Sequence, residues 1–304
     1  SIWFLAFSLA TRVIPFLLIP LYTSYLSPSD YGIVAICLTM VGIISVFNTL
    51  GAVEFGSRIL IRFHDKKRIL SLLLGNIYAV SNVIALAISV ILSLFSGQLK
   101  TAFFGKEQLP SQLIVYIPIW ISFCMCVSGF LQAYQTIYHQ GRGFFMVNAG
   151  RVFMVHSLKV VALAFLKLGL VAFLAVELIT EALIMLVSAW MLVKMLKPKF
   201  NFKKMRVVKM AFLYGIPFIP ASMGGWIQQY IDRIMVLRFI GMWDVGLYAF
   251  AFTFAGIFGA FWYPFRTGVT PAFVKRLDKQ KKTPSAAHEY SEYAASFVFL
   301  ACFV

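Results

Sequence analysis

The sequence predicts an all-α protein that crosses a membrane many times, and three observations support this fold class. Apolar residues make up 61% of the chain and charged residues only 12%, whereas about 25% of a soluble domain is charged. The mean hydropathy is +0.86. Apolar runs of about 20 residues, the length that crosses a bilayer as a helix, recur along the chain. Because a helix satisfies its own backbone hydrogen bonds in hydrocarbon, a polytopic helical bundle is expected.

The apolar runs predict at least eight spans. Short polar turns separate them, and tyrosine or tryptophan marks many of their ends, as at a membrane interface. Expected spans cover 2–24, 32–54, 69–96, 112–138, 146–166, 170–193, 210–240 and 245–273, and a ninth starts near 286. The expected domains are a six-helix N-terminal lobe over 1–193, a basic cytoplasmic linker over 194–209, and the start of a truncated C-terminal lobe over 210–304.

The formal net charge of +16 is concentrated in alternate turns. One set of turns carries Arg58, Arg62, Lys66, Lys67, Arg68, Arg142, Lys194, Lys197, Lys199, Lys203, Lys204, Arg206, Lys209, Lys275, Arg276, Lys279, Lys281 and Lys282, and the other only Lys100, Lys106, Lys167 and Arg238. Basic turns normally face the cytoplasm. The N-terminus is therefore expected to be cytoplasmic and the protein to lie in the inner (cytoplasmic) membrane. These turns lack the interleaved aromatic residues of a nucleic-acid surface, so no nucleic-acid partner is expected.

Residues typical of metal or catalytic sites are sparse. Cys37, Cys124, Cys126 and Cys302 all lie in apolar runs, and a spacing of two places Cys124 and Cys126 about 200° apart around a helix. They are expected to be small core residues, and no metal or cofactor is expected. No H-E-x-x-H, G-x-S-x-G or phosphate-binding loop is present. The longest predicted outer loop, 97–111, has Glu107 as its only acid, so catalysis is not expected.

One short pattern occurs twice. Leu26-Ser27-Pro28-Ser29-Asp30-Tyr31-Gly32-Ile33-Val34-Ala35 and Ile240-Gly241-Met242-Trp243-Asp244-Val245-Gly246-Leu247-Tyr248-Ala249 align without a gap at an offset of 214 residues. Each aspartate is expected to cap the following helix, and each glycine to let neighbouring helices approach closely. Six spans separate the copies, so both face the same side. The pattern therefore predicts a parallel repeat about an axis normal to the membrane.

The residues around this repeat carry a family resemblance. The first copy is preceded by Arg12-Val13-Ile14-Pro15-Phe16-Leu17-Leu18-Ile19-Pro20, and the second by Tyr214-Gly215-Ile216-Pro217-Phe218-Ile219-Pro220 and Asp232-Arg233. The chain resembles the Wzx-type polysaccharide flippases of the multidrug/oligosaccharidyl-lipid/polysaccharide exporter superfamily. The resemblance implies a two-lobe helical bundle, like that of the multidrug exporters, around a central cavity. In this chain the first lobe is expected to be complete and the second partial.

The resemblance also implies a function. A flippase of this type moves an isoprenoid-diphosphate-linked oligosaccharide to the outer leaflet during synthesis of a surface polysaccharide such as O-antigen. Its expected partners are this lipid-linked oligosaccharide, membrane lipids and the polysaccharide polymerase and glycosyltransferases. The first alternative is a cation-coupled multidrug efflux antiporter. The second is a membrane polysaccharide polymerase. Rocking of the two lobes is the expected motion, with spans 1 and 7 bent at their prolines.

Ionisable residues inside spans are the candidate functional groups, because each costs about 2.5–3.5 kcal/mol at mid-bilayer unless it faces a cavity or a partner. The candidates for substrate binding are Arg12, Arg58, Arg151, Lys159, Arg233 and Arg266. The candidates for ion coupling are His156, Glu177, Glu181 and Asp232. Because arginine recurs in both lobes and binds phosphate through two N–H groups at once, the set favours an anionic glycolipid.

Several of these candidates also have a purely structural explanation. Arg12 lies about 15 Å along the first span and either faces a cavity or extends to the cytoplasmic surface. Glu54 and Arg58 are spaced as a helical ion pair. Asp232 and Arg233 are adjacent and point about 100° apart, so each needs its own partner. Arg266 lies toward the cytoplasmic end of its span and suits an interfacial anchor.

Spans 5 and 6 form a hairpin whose turn lies near Leu168 and Gly169. Counting outward from this turn pairs Lys159 with Glu177 and His156 with Glu181 at equal depths. The sequence therefore predicts a ladder of two buried contacts. It acts either as structural charge pairing or as a proton-linked site, since histidine and a buried glutamate can titrate near neutral pH.

Overall fold

A computed structural model describes residues 2–62, 67–105, 107–138, 140–197 and 205–256. Within these ranges the chain is helical and contains no strand. The helices are α1 (Ile2–Tyr25), α2 (Pro28–Thr49), α3 (Ala52–Arg62), α4 (Lys67–Leu94), α5 (Ser96–Phe104), α6 (Leu113–Ile137), α7 (Gly141–Val160), α8 (Gly169–Leu196), α9 (Met205–Gly215) and α10 (Phe218–Phe239). A π-helical stretch, Val161–Phe165, continues α7. A further helix, α11, covers 242–256.

The long helices confirm a multi-pass membrane protein. Within the described residues, five helices are long and apolar enough to cross a bilayer: Pro28–Thr49, Leu70–Leu94, Leu113–Ile137, Arg142–Phe165 and Gly169–Met195. Helices α9 and α10 together make a sixth candidate, bent by 42°, and α1 contributes a shorter apolar helix, Val13–Tyr25. The eighth predicted span is described only as far as residue 256, and the ninth lies outside the described residues. At least eight crossings therefore stays a prediction.

Two predicted spans are interrupted: the first break was not expected, whereas the second is the bend that the prolines of span 7 predicted. The span predicted over 32–54 ends at Thr49, and α3 starts a new helix at Ala52. Leu50 and Gly51 between them have positive φ values of 43° and 69°, and such values interrupt a right-handed helix. The span predicted over 210–240 is bent between Gly215 and Phe218, where Pro217 stands. In contrast, α1 continues unbroken through Pro15 and Pro20.

The two breaks lie against each other. A side chain on Gly51 would collide with the backbone of Gly215, and one on Gly215 would collide with the carbonyl oxygen of Leu50. The two breaks thus meet backbone to backbone, and only glycine fits at this crossing. Next to it the ring of Phe55 on α3 lies 5.4 Å from that of Tyr214 on α9.

Helix α6 lies at the centre of the helices that it contacts and packs against α2, α3, α4 and α8. Polar and thiol groups join it to α2 in the buried interior. Asn48 donates to the Ser122 hydroxyl at 2.8 Å, and Cys126 donates to the Asn48 carbonyl at 3.4 Å. Cys37, Cys124 and Cys126 are buried and free, which confirms their expected place in the core; Cys302 lies outside the described residues.

The turns separate into two ends of the bundle. The low-charge end, as we call it, carries the turns at 26–27, 95–112, 166–168 and 240–241; the basic end carries the α3–α4, α6–α7 and α8–α9 connections. Both copies of the repeat lie at the low-charge end and contact each other. A side chain on Gly32 would collide with the Met242 carbonyl oxygen, and one on Gly246 with the Pro28 carbonyl oxygen. Gly32 and Gly246 are equivalent in the repeat, as are Pro28 and Met242.

Such reciprocal contacts are what a two-fold relation between the copies produces. They support the predicted parallel repeat and confirm the role expected of its glycines. The capping role is confirmed for the first copy, in which the Asp30 carboxylate accepts from the Ser27 backbone N–H at 2.9 Å and the Ser27 hydroxyl accepts from the Asp30 N–H at 3.2 Å. Asp244 forms no corresponding cap within the described part of the chain.

Candidate functional site

The α7–α8 hairpin forms the first predicted contact of the ladder. Lys159 Nζ lies 2.5 Å from Glu177 Oε2, which confirms this pair. Lys159 is only 5% exposed, and its ammonium also lies 4.1 Å from the centre of the Phe173 ring. The ammonium is thus held between a carboxylate and the face of an aromatic ring, which attracts cations electrostatically.

The prediction of a second contact, between His156 and Glu181, is wrong. Glu181 is 1% exposed and pairs through Oε1 with Arg151 Nε at 2.6 Å. His156 instead faces α1, where its Nδ1 shares a hydrogen bond of 2.8 Å with the Tyr22 hydroxyl. Five residues apart on one helix, Arg151 and His156 point about 140° from each other. They therefore face different neighbouring helices, which a count of depth alone does not show.

Tyr22 lies near the end of α1, where an aromatic residue is typical of a membrane interface. Its side chain is nevertheless packed inside the bundle and is only 4% exposed. Its ring packs edge-on against Phe173 at 5.3 Å. Because Phe173 also contacts Lys159, Tyr22 connects His156 to the Lys159–Glu177 pair. This network joins α1, α7 and α8 through one ion pair, one hydrogen bond and two contacts to the Phe173 ring.

A buried carboxylate oxygen of α8 has no hydrogen-bond partner among the described residues. Glu181 Oε2 is buried and accepts no hydrogen bond there, whereas Oε1 is bound by Arg151. This oxygen is therefore an unsatisfied acceptor within the described part, although the Glu181 charge is paired with Arg151. No group of three or more His, Cys, Asp and Glu side chains in the described part is arranged to hold a metal ion.

A second polar cluster lies between α10 and α11. The Asp232 carboxylate accepts a hydrogen bond from the Tyr248 hydroxyl and one from the Arg233 backbone N–H at 2.8 Å. The Arg233 guanidinium lies 5.0 Å from the ring centres of Tyr230 and of Phe252. Asp232 and Arg233 thus have separate partners, as their spacing on a helix predicts. Tyr248 could have been found by counting equal depths from the turn at Gly241.

Arg233 is buried, and part of its hydrogen-bonding capacity is unused. The residue is 8% exposed, and its Nε and Nη1 atoms have no acceptor among the described residues. Aromatic rings attract the cation but supply no strong hydrogen-bond acceptor to its N–H groups. Two N–H-bearing atoms of the guanidinium are therefore unsatisfied donors within the described part of the chain.

Arg58 and Glu54 lie at the basic end, and both are exposed. They form no ion pair in the described part of the chain, so the pairing that their spacing suggested is absent. Instead the Arg58 guanidinium lies over the ring of Tyr214, 4.9 Å from its centre. An exposed ion pair gains little in water, and this stacking joins α3 to α9.

The remaining cationic candidates are only partly described. Arg12 lies within α1, but its side chain is outside the described part, and Arg266 lies outside the described residues altogether. A cleft of about 420 Å³ opens between α1 and α7. Its wall is apolar apart from His156 and Ser157.

The fold and the buried charges together define a class: a helical multi-pass membrane protein whose spans hold ionised groups in their interior. Residues 1–276 match the family model described as polysaccharide biosynthesis protein. The chain therefore belongs to the polysaccharide biosynthesis protein family, in agreement with its resemblance to Wzx-type flippases. No significant match was found among curated proteins or among solved structures.

Proposed function

We propose that this chain moves an isoprenoid-diphosphate-linked oligosaccharide from the cytoplasmic to the outer leaflet of the cytoplasmic membrane, for synthesis of a surface polysaccharide such as O-antigen. Membership of the polysaccharide biosynthesis protein family supports the polysaccharide role. The single observation that carries the proposed substrate chemistry is Arg233, a buried guanidinium whose Nε and Nη1 find no acceptor among the described residues.

A diphosphate is the part of such a substrate that Arg233 suits. Guanidinium N–H groups bind phosphate oxygens in pairs, through charge-assisted hydrogen bonds. A buried cation without a partner is costly, at about 2.5–3.5 kcal/mol near mid-bilayer. A bound diphosphate offsets this cost, and Tyr230 and Phe252 keep the guanidinium plane in place. Arg12 and Arg266 are proposed as further contacts, and exposed Arg58 as a contact for entry at the basic end.

Arg151 and Lys159 differ from Arg233 because carboxylates already engage them. Before either cation can bind substrate, its ion pair with the glutamate must break. Protonation of Glu181, whose Oε2 accepts no hydrogen bond from a described residue, would weaken the pair with Arg151. We therefore propose His156, Glu177 and Glu181 as one coupling network, in which a change of protonation or of bound ion alters how α7 packs on α8.

Asp232 is the fourth proposed coupling group. Its carboxylate forms no ion pair with a described cation, and its charge is stabilised by hydrogen bonds from Tyr248 and from the Arg233 backbone. It stands next in sequence to the proposed diphosphate contact. An ion bound at Asp232 would therefore lie close to the substrate head group, which is the arrangement that coupled transport needs.

The proposed orientation follows from the charges of the turns. The basic end is cytoplasmic and so is the N-terminus, by the positive-inside rule. Substrate enters from the basic end, where glycosyltransferases complete the oligosaccharide. It leaves at the low-charge end, where a polymerase consumes it.

The alternatives fit the described residues less well. A drug antiporter that carries organic cations needs an acidic cavity, but the buried Glu177 and Glu181 each already bind a cation. A polymerase or glycosyltransferase needs catalytic carboxylates in an accessible domain. The segment between α4 and α6 contains only the short α5 and a loop.

The test uses the full-length protein in cells that lack the chromosomal copy. Arg233→Gln is compared with Arg142→Gln, which removes an exposed arginine at the basic end. Surface polysaccharide and the lipid-linked oligosaccharide accessible to an impermeant lectin on right-side-out vesicles are measured at matched protein levels. Loss of a bidentate phosphate contact predicts a decrease of about tenfold or more for Arg233→Gln, partial activity for Arg233→Lys, and no change for Arg142→Gln.

Two results would contradict the proposal. Wild-type transport by Arg233→Gln would exclude the guanidinium as a substrate contact. Drug resistance conferred by the gene without any effect on outer-leaflet oligosaccharide would favour the antiporter instead.

A further inference from the structure

The low-charge end contains an arginine that no part of the proposed transport site uses. Arg238, in the last turn of α10, reaches across to α5 of the first lobe. Its Nη2 donates to the carbonyl oxygens of Thr101 at 3.2 Å and Ala102 at 2.5 Å. These carbonyls belong to the last turn of α5, where the helix dipole attracts a cation.

The absence of a side chain at Gly105 leaves room for this guanidinium. It follows α5 with φ +64°, and its N–H donates to the Thr101 carbonyl. A side chain at this position would lie 2.9 Å from Arg238 Nη1. The end of α5 therefore offers both acceptors and space to the arginine.

A second contact between the same two parts of the chain lies at the same end. The reciprocal packing of Gly32 on Met242 and of Gly246 on Pro28 brings backbone against backbone. A backbone-to-backbone contact has no flexible side chain that could adjust to a small displacement. The two segments are therefore either in contact or separated. Val245, between Asp244 and Gly246, is 0% exposed in this contact region.

We propose that Arg238 is a latch that holds the low-charge end closed by capping α5, and that the Gly32–Gly246 contact is the seat on which this end closes. The bonds of Arg238 are exposed, and exposed charged bonds are weak enough to break and re-form. Both features must open when the copies separate at this end. The assignment of this end to the outside rests on the proposed function, whereas the latch itself does not.

The test measures opening directly, in the full-length protein carrying Val245→Cys. Right-side-out and inside-out vesicles are treated with a membrane-impermeant maleimide, and alkylation is quantified at each cysteine by mass spectrometry. Native Cys124, buried in the first lobe at 4% exposure, reports unfolding. Lys167→Gln removes another cation of the same end. Gly224→Ala adds a methyl group on α10 where nothing lies within 4 Å.

If the latch is real, Arg238→Gln raises the alkylation rate at position 245 by about fivefold, the effect of losing exposed charged hydrogen bonds, which are weaker than buried ones. Gly246→Ala raises it further, because the added methyl group collides with the Pro28 carbonyl. Arg238→Lys gives an intermediate rate, Lys167→Gln and Gly224→Ala give the wild-type rate, and Cys124 stays unreactive throughout.

An unchanged rate with Arg238→Gln overturns the latch, and an unchanged rate with Gly246→Ala overturns the seat. An equal rise at Cys124 also overturns the proposal, because Arg238 then stabilises the whole fold rather than this contact. Alkylation that rises only in inside-out vesicles supports the latch and refutes the orientation given under the proposed function.

Discussion

The Lys159–Glu177 pair allows the most direct test of the buried network. Lys159→Met removes the ammonium and keeps most of the side-chain volume. Glu177→Gln removes the carboxylate charge and keeps its shape. Each single change leaves one charge inside the α7–α8 hairpin without its partner, whereas the double change removes both.

The expected cost follows from burial. Removing one partner of a fully buried pair costs about 3–5 kcal/mol, and removing one from an exposed pair costs about 1 kcal/mol or less. Lys159 is 5% exposed, and the Glu177 side chain is 22% exposed, so the lower part of the buried range applies. We expect each single variant to lose about 3 kcal/mol of unfolding free energy. The double variant is also expected to lose about 3 kcal/mol, a coupling of about 3 kcal/mol.

The measurement is an unfolding titration of the full-length protein in mixed micelles with increasing sodium dodecyl sulfate, followed by circular dichroism. Lys167→Met is the matched control, because it makes the same substitution on the same hairpin at an exposed residue. It should change the unfolding free energy by less than about 0.5 kcal/mol. If the double variant loses about 6 kcal/mol, the two side chains act independently and the charge-pair explanation is wrong.

Two further predictions use the same titration. Glu181→Gln should be non-additive with Arg151→Met, by about 2 kcal/mol, and additive with His156→Phe. The reason is that Arg151, and not His156, bonds the Glu181 carboxylate. The opposite pattern would support the His156–Glu181 contact first predicted from the sequence. Gly51→Ala should lower the unfolding free energy by about 2 kcal/mol or more, because φ at Gly51 is +69° and the added methyl group collides with the facing helix break. The control is Gly150→Ala, where the added methyl group meets open space. It should change the unfolding free energy by less than about 0.5 kcal/mol. Equal effects of the two glycine changes would show that the helix breaks are not tightly packed.

Much of the charge network could be predicted by counting along the helices. The depth of Lys159 and Glu177 below their turn was enough to pair them, because both side chains point toward the partner helix. The same count failed for His156 because depth does not fix direction around the helix axis. His156 faces α1 and Arg151 faces α8. Arg151 therefore forms the contact with Glu181 that the count assigned to His156.

Helix breaks show a similar limit. The prolines in span 7 predicted a bend, and a bend of 42° is present. The break at Leu50–Gly51 was not predicted, because a lone glycine in an apolar run is compatible with a continuous helix. Only the crossing of Gly51 over Gly215 shows why the chain turns there.

The sequence by itself determined that this is a membrane protein of many helical spans, which end of the bundle is basic, and that two copies of a short pattern lie at the same end. Hydropathy and spacing decide these features because they depend on the length and charge of single segments. The tertiary structure alone decided the partners: Arg151 for Glu181, Tyr22 for His156, and α5 for Arg238. Partners depend on how each helix is rotated against its neighbours, and that rotation is set by packing across the whole bundle.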